Sequence, residues 1–178
     1  MLHFSKRLPV ISVLLGTTLL SACSLFAPEP VPVAAPPAAP SHDMVAAIRA
    51  AGDHEKSVID VNPLRSPGVT SLQDTAQLDE HAGRYSDAAT KLDQAIKLSP
   101  ESPDLLQDRA EIAVRLKDFP MAEKLAHESW SLGPKLGPLC ARNWQTIVEM
   151  RLQADDKAGA DTARKWVQQC HKAGVPRY

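Results

Sequence analysis

Cysteine, histidine and paired acids are the residues here whose chemistry could define a function. The chain has three Cys and six His in 178 residues. No two cysteines form a C-x-x-C, so nothing points to a redox dithiol. The histidines do not cluster. His127 lies four residues after Glu123, the spacing of a solvated pair on one helix face. Asp155-Asp156 reads as a turn that ends in a helix N-cap. The motifs G-x-x-x-x-G-K-[ST], G-x-G-x-x-G, H-E-x-x-H and G-x-S-x-G are missing, and no nucleophile stands in a recognisable relation to a base. The expectation is a protein that is not an enzyme, with no catalytic residue, no metal site and no cofactor.

Charge and composition narrow the remaining classes. Lys and Arg number 20 against 21 Asp and Glu, a formal net charge of −1. A nucleic-acid partner is not expected, because neutralising phosphates needs a basic patch. Aromatic residues make up 4%, and β-branched runs are few, which argues against an all-β sandwich. The prolines are unevenly spread, and the chain divides into segments that must be read separately.

Residues 1–22 have the layout of a targeting peptide. Lys6 and Arg7 precede an apolar run from Leu8 to Leu20, too short to span a bilayer permanently, which takes about 20 apolar residues. The run ends in Leu20-Ser21-Ala22-Cys23. This ending resembles the lipoprotein box of bacteria, which implies cleavage before Cys23 and lipidation of its sulfur. The residue after the cysteine is Ser24 rather than the Asp that usually retains such proteins at the inner membrane. The resemblance therefore implies an outer-membrane anchor facing the periplasm. Cleavage removes Lys6 and Arg7 and no acid, so acyl chains and not protein charge would hold the molecule at the membrane; two or more chains give stable anchoring.

Residues 23–40 follow as the lipidated cysteine and a tether. Ala27 to Pro40 reads APEPVPVAAPPAAP, which cannot form a packed core and lacks many backbone donors. It is expected to form a polyproline-II spacer, rising roughly 3.1 Å per residue. Residues 41–68 are read as a short helix, capped by Ser41-His42-Asp43 and ending near Gly52, then an extended strap in which Pro63 and Pro67 block a helix. Whether this part packs on the domain or lengthens the tether is left open by the sequence.

From residue 69 the chain is helical in pattern and similar to itself at a period of 34. Gly83 aligns with Lys117, Tyr85 with Phe119, Ala88 with Ala122, Leu98 with Leu132 and Pro100 with Pro134. The small residues would let two helices approach, the aromatics would plug each hairpin, and the prolines would stop its second helix. Ser102-Pro103-Asp104 offers an N-cap, a proline in the first turn and an acid beside it. The segment GRYSDAATKLDQAIKLSP resembles the tetratricopeptide (TPR) repeat, with Lys117 in place of the usual Gly and Ser129 in place of the usual Ala. The resulting fold class is all-α: a short TPR-like array of about three helical hairpins after a Pro/Ala-rich tether. The domain is expected over 69–178, with repeats at 69–102 and 103–136 and a divergent, longer capping hairpin at 137–173. Strict repetition would place Asp156 at the small-residue site of the third hairpin, whereas aligning Ala163 with Ala122 requires seven extra residues.

If Cys23 is lipidated, Cys140 and Cys170 are left in an oxidising compartment. They fall near the start of the third hairpin's first helix and near the end of its second, ends that antiparallel helices bring together. A disulfide between them is expected, closing a loop of 30 residues.

A TPR array has a concave groove lined by the first helix of each hairpin. The resemblance makes Gln73, Gln77 and Glu80 partner-binding candidates in the first repeat, Gln107, Glu111 and Arg115 in the second, and Arg142, Gln145 and Glu149 in the third. Trp130 is expected in the core, and Trp166 in the core or as an exposed anchor. The order of lipid anchor, tether and small TPR domain resembles the TPR-type lipoprotein activators of peptidoglycan synthases, which implies a class A penicillin-binding protein as the periplasmic partner. Alternatives of the same binding type are an assembly factor for outer-membrane proteins, secretion or pilus machinery, and a protease adaptor.

Overall fold

Seven helices make up the described residues, 42–55 and 65–171, of the computed structural model. The signal peptide, Cys23, the Pro/Ala tether and most of the strap lie outside these residues. The helices are α1 (Met44–Asp53), α2 (Pro67–His81), α3 (Tyr85–Leu98), α4 (Pro103–Arg115), α5 (Phe119–Leu132), α6 (Pro138–Gln153) and α7 (Lys157–Gln169). They pair as α2–α3, α4–α5 and α6–α7, and α3 packs on α4 as α5 packs on α6. The domain is all-α and TPR-like.

Each hairpin turns in the same way. Gly83, Lys117 and Asp155 adopt left-handed backbone angles, with φ of 74°, 63° and 57°. The next N–H in each case reaches back to the preceding helix: Arg84 to Asp79 O, Asp118 to Ala113 O and Asp156 to Arg151 O, at 2.8–2.9 Å. Satisfying the orphan carbonyls of a helix end in this way is the Schellman arrangement. Only glycine enters the left-handed region without steric cost, so Lys117 is a mildly strained substitute.

These three turns also fix the register of the third hairpin. The left-handed residue recurs after 34 residues and then after 38, so four extra residues separate the second and third repeats. The third small-residue site is consequently Ala160, fully buried like Ala88 and Ala122. The sequence leaves this register open, and the structure takes neither strict repetition nor the alignment of Ala163 with Ala122, seven residues longer. Most of the insertion lengthens the helix, since α6 has 16 residues where α4 has 13.

Helix starts follow from local chemistry. Asp43 caps α1 by accepting from Ala46 N at 3.0 Å, and Asp156 caps α7 by accepting from Gly159 N at 2.8 Å. Prolines occupy the first turns of α2, α4, α5 and α6, where a missing N–H removes no helix bond. Ser102 occupies the N-cap position of α4 but makes no side-chain cap; its hydroxyl pairs with that of Ser99 at 2.6 Å instead.

The core has three parts. Val69, Ala76, Ala88, Leu92, Leu105 and Ile112 fill the first hairpin and its junction with the second. Leu106, Leu125, Trp144, Ile147, Val148 and Ala163 fill the other end, where Cys140 and Cys170 are joined by a disulfide with Cα atoms 5.6 Å apart. The third part brings in α1: Val45 and Ile48 pack with Ala113, Val114, Ala122 and Met150. Fully burying two such side chains contributes on the order of 1.5–3 kcal/mol each. The segment before the first repeat is thus built into the domain, mainly against α6 and also against α4.

Candidate functional site: the concave face and its charge network

The first helices of the three hairpins, α2, α4 and α6, present two columns of polar side chains at the repeat spacing. One column is Gln73, Gln107 and Gln145; the other is Gln77, Glu111 and Glu149. Glu80, Arg115 and Arg142 flank them. α1 lies over this surface, and its polar side chains enter the columns.

Glu111 is the centre of the network and is fully buried. One of its carboxylate oxygens accepts from Arg142 Nη2 at 2.6 Å, Arg142 Nε at 2.9 Å and Gln107 Nε2 at 3.0 Å. The other accepts from Arg49 Nε of α1 at 2.7 Å. Arg49 also donates to both oxygens of Glu80, at 2.8 and 2.9 Å. Arg142 reaches Asp108 at 2.8 Å. Burial alone would disfavour the charged guanidinium of Arg142, but Glu111 and Asp108 outweigh it and hold the group firmly protonated. Arg49 shows the same balance: burial opposes its charge, and the bonds to Glu80 and Glu111 overcome that opposition.

The N-terminal end of α1 is pinned in the same manner. Asp43 accepts from Arg115 at 2.9 Å, and His42 Nε2 lies 2.8 Å from Glu149. The carboxyl of Asp43 is held below its ordinary value of 3.8, chiefly by the Ala46 N–H; burial opposes this, and the bond and charge of Arg115 add to the lowering.

All nine groove residues named from the sequence lie on these three helices, but their settings differ. Gln107 and Glu111 have no exposed surface, and Glu149 is 4% exposed. They form the floor of the groove and position other groups. Gln107 is tied to Thr146 at 2.9 Å, and Gln145 donates to Glu149 at 2.8 Å. Gln73 donates to Asp108 at 2.7 Å, whereas Gln77 is exposed. A cavity of about 330 Å³ remains beside α1. Its wall includes Arg49, Gln73, Gln77, Glu80, Asp108 and Arg142. Sequence reasoning missed Arg49, Asp43 and Asp108. The usable signal was Arg49 directly after the apolar pair Val45 and Ile48, with unmatched acids on α2 and α4.

Away from the groove, the three tryptophans meet in one cluster. Trp144 stacks on Trp166 with centroids 5.1 Å apart, and Trp130 meets both edge-on. Trp130 is half-buried and Trp166 is 39% exposed, so Trp166 is partly core and partly surface. His127 lies 3.7 Å from Glu123 on an exposed stretch of α5. Among the described residues no group of His, Cys, Asp and Glu is arranged to hold a metal ion, and no helix is long and apolar enough to cross a membrane.

Solved structures carry the same helical arrangement. The globular C-terminal domain of LpoP from P. aeruginosa matches with a TM-score of 0.56 at 28% identity, covering 59% of this chain and 99% of that one. The domain is TPR-like. The first TPR of Spaghetti (RPAP3), solved bound to the HSP90 peptide SRMEEVD, matches with a TM-score of 0.54 at 19% identity, over 60% of this chain and 84% of that one; at that identity the likeness speaks for the fold. No protein-family model matches the sequence, and no curated protein matches it. The comparisons and the groove together describe a protein-interaction module.

Proposed function

We propose that the protein is a periplasmic interaction module, lipidated at Cys23 and anchored in the outer membrane, that binds and activates a peptidoglycan synthase of the class A penicillin-binding type. The observation that carries this reading is the 28% identity to the LpoP domain across 99% of that domain's chain. It runs in the same direction as the sequence resemblance to TPR-type synthase activators. The exposed members of the groove set, Gln77 above all, and the flanking Gln73, Glu80, Arg115 and Arg142 are the residues proposed to meet the partner. Glu111, itself bonded by Gln107, holds Arg142 in place, and Gln145 with Glu149 completes the groove floor. The tether at 23–40 limits the search volume, so that a modest affinity suffices once the partner is within reach.

The test is direct. The mature chain without its acyl groups, added to a purified class A synthase, is expected to raise glycan polymerisation and crosslinking. An unchanged rate, together with no binding in a sedimentation or surface-capture measurement, removes this function.

A further inference from the structure

α1 differs from the other six helices in ways that bear on how the groove is used. It has no hairpin partner and packs on α6 and α4. Its attachment consists of the apolar pair Val45 and Ile48, one turn apart, with Met44 beside them, of ion pairs from Arg49, Asp43 and His42, and of Glu55 just beyond the helix, 3.0 Å from His171. The side chains of Arg49, Asp43 and His42 are 41%, 47% and 64% exposed. Their acid partners Glu80, Glu111 and Glu149 are buried at 10%, 0% and 5% exposure, so the α1 half of each pair is the half that water reaches. Every acid of the array that α1 engages also has a partner of its own. Glu111 has Arg142 at 2.6 Å, Glu80 has Arg115 at 3.8 Å, and Glu149 has Gln145 at 2.8 Å. Withdrawing α1 leaves Glu111 and Glu80 each facing a guanidinium and Glu149 facing the amide of Gln145, so neither acid that Arg49 engages becomes an unpaired buried charge, the condition that makes such losses costly.

We propose that α1 is a displaceable occupant of the concave groove, and that the groove is the seat for a partner helix of the same chemistry. That chemistry is two apolar side chains one turn apart, an arginine immediately after the second, and no side chain three residues beyond the arginine. The last requirement comes from Gly52, where an added Cβ would stand 2.8 Å from Arg142 Cγ and 3.3 Å from Pro138 O. The acids at Glu80 and Glu111 supply the complementary charge. The proposal rests on reading the domain as an interaction module, but not on the identity of the partner. A seated α1 lowers the apparent affinity for a partner by the fraction of molecules in which the groove is open.

The experiment uses the full mature chain and a labelled peptide of residues 42–55. In wild type the peptide is expected to bind weakly, because the chain's own helix occupies the seat. In Ile48→Asp, whose own helix cannot seat, the same peptide is expected to bind at least about tenfold more tightly. A folded variant that binds no better than wild type overturns the proposal. Hydrogen exchange on wild type provides a check that does not depend on the variant folding. Amides of α1 are expected to exchange at least about 100-fold faster than those of α4 and α6, through local opening; equal protection overturns the proposal. A concentration-dependent dimer that exchanges α1 between copies assigns the seat to a second copy and overturns it as well. None of these readouts involves a synthase, so failure here and failure of the synthase assay are distinguishable.

Discussion

The concave face and the closing hairpin solve the same problem with opposite materials. The concave face buries charge: Glu111 sits at full burial among Arg49, Arg142 and Gln107. The closing hairpin buries sulfur and indole: the Cys140–Cys170 bridge and the Trp130, Trp144 and Trp166 cluster. A charge network is strong only while each member keeps its partners, and it responds to salt and pH. A covalent bridge beside apolar side chains is indifferent to both. The difference separates a region whose cohesion shifts with solution conditions from one whose cohesion does not.

Four measurements would break or sharpen this contrast. The largest effect is expected from the closing hairpin. Cys140→Ser with Cys170→Ser, or reduction of the wild type, should lower the unfolding free energy by about 3.5 kcal/mol on the chain-entropy account of a 30-residue loop, read from urea denaturation. An unchanged midpoint would mean that the bridge adds nothing to the indole packing. On the concave face, Glu111→Ala should cost about 3 kcal/mol, near the lower limit for removing one member of a buried pair. Arg49 keeps Glu80 and Arg142 keeps Asp108, which limits the loss. A cost below 1 kcal/mol would show that the network is dispensable.

A gain is expected at the turn between α4 and α5. Lys117→Gly relieves a left-handed side chain and should stabilise the domain by about 0.5–1 kcal/mol, seen as a rise in Tm. The smallest effect concerns acid. The Asp43 carboxyl titrates below its ordinary value in the folded protein, so its contribution is complete above about pH 4 and is lost as the pH falls through the lowered value. Amide protection in α1 should therefore decline on acidification below pH ~4, before that of α6. Simultaneous loss along both helices would argue against a separately held α1.

Much of the array was legible in the residues. The period of 34, the pair Ala88 and Ala122, and Pro103 and Pro120 in first turns each have a local physical cause, and local causes leave local marks. The third register was hidden because its four extra residues are mostly absorbed inside α6, and because Asp155 takes the left-handed position without a glycine to announce it. The groove residues were identifiable by repeat position, yet their burial was not. It depends on contacts between helices, among them Arg49 of α1 with Glu111 across 62 positions of sequence and Gln107 with Thr146 across 39, pairings that no periodicity encodes. Trp166 was ambiguous because stacking on Trp144 depends on how far α7 is shifted along α6, which the insertion controls.

The backbone N–H of Gly137 donates to Cys170 O at 2.9 Å, beside the disulfide. The loop entering the last hairpin is thereby stitched to the terminus of its final helix, while the outward side of α7 carries Asp161, Arg164, Lys165 and Gln168 in solvent. Many helical arrays grow by duplicating a unit at one end. Here a duplicated unit would have to stack on a mostly hydrophilic wall, broken by the partly exposed Trp166, next to a covalent clasp. A unit stacked there would need apolar contacts that this face of α7, Trp166 apart, does not offer, whereas the groove can change its contacts by substitution alone.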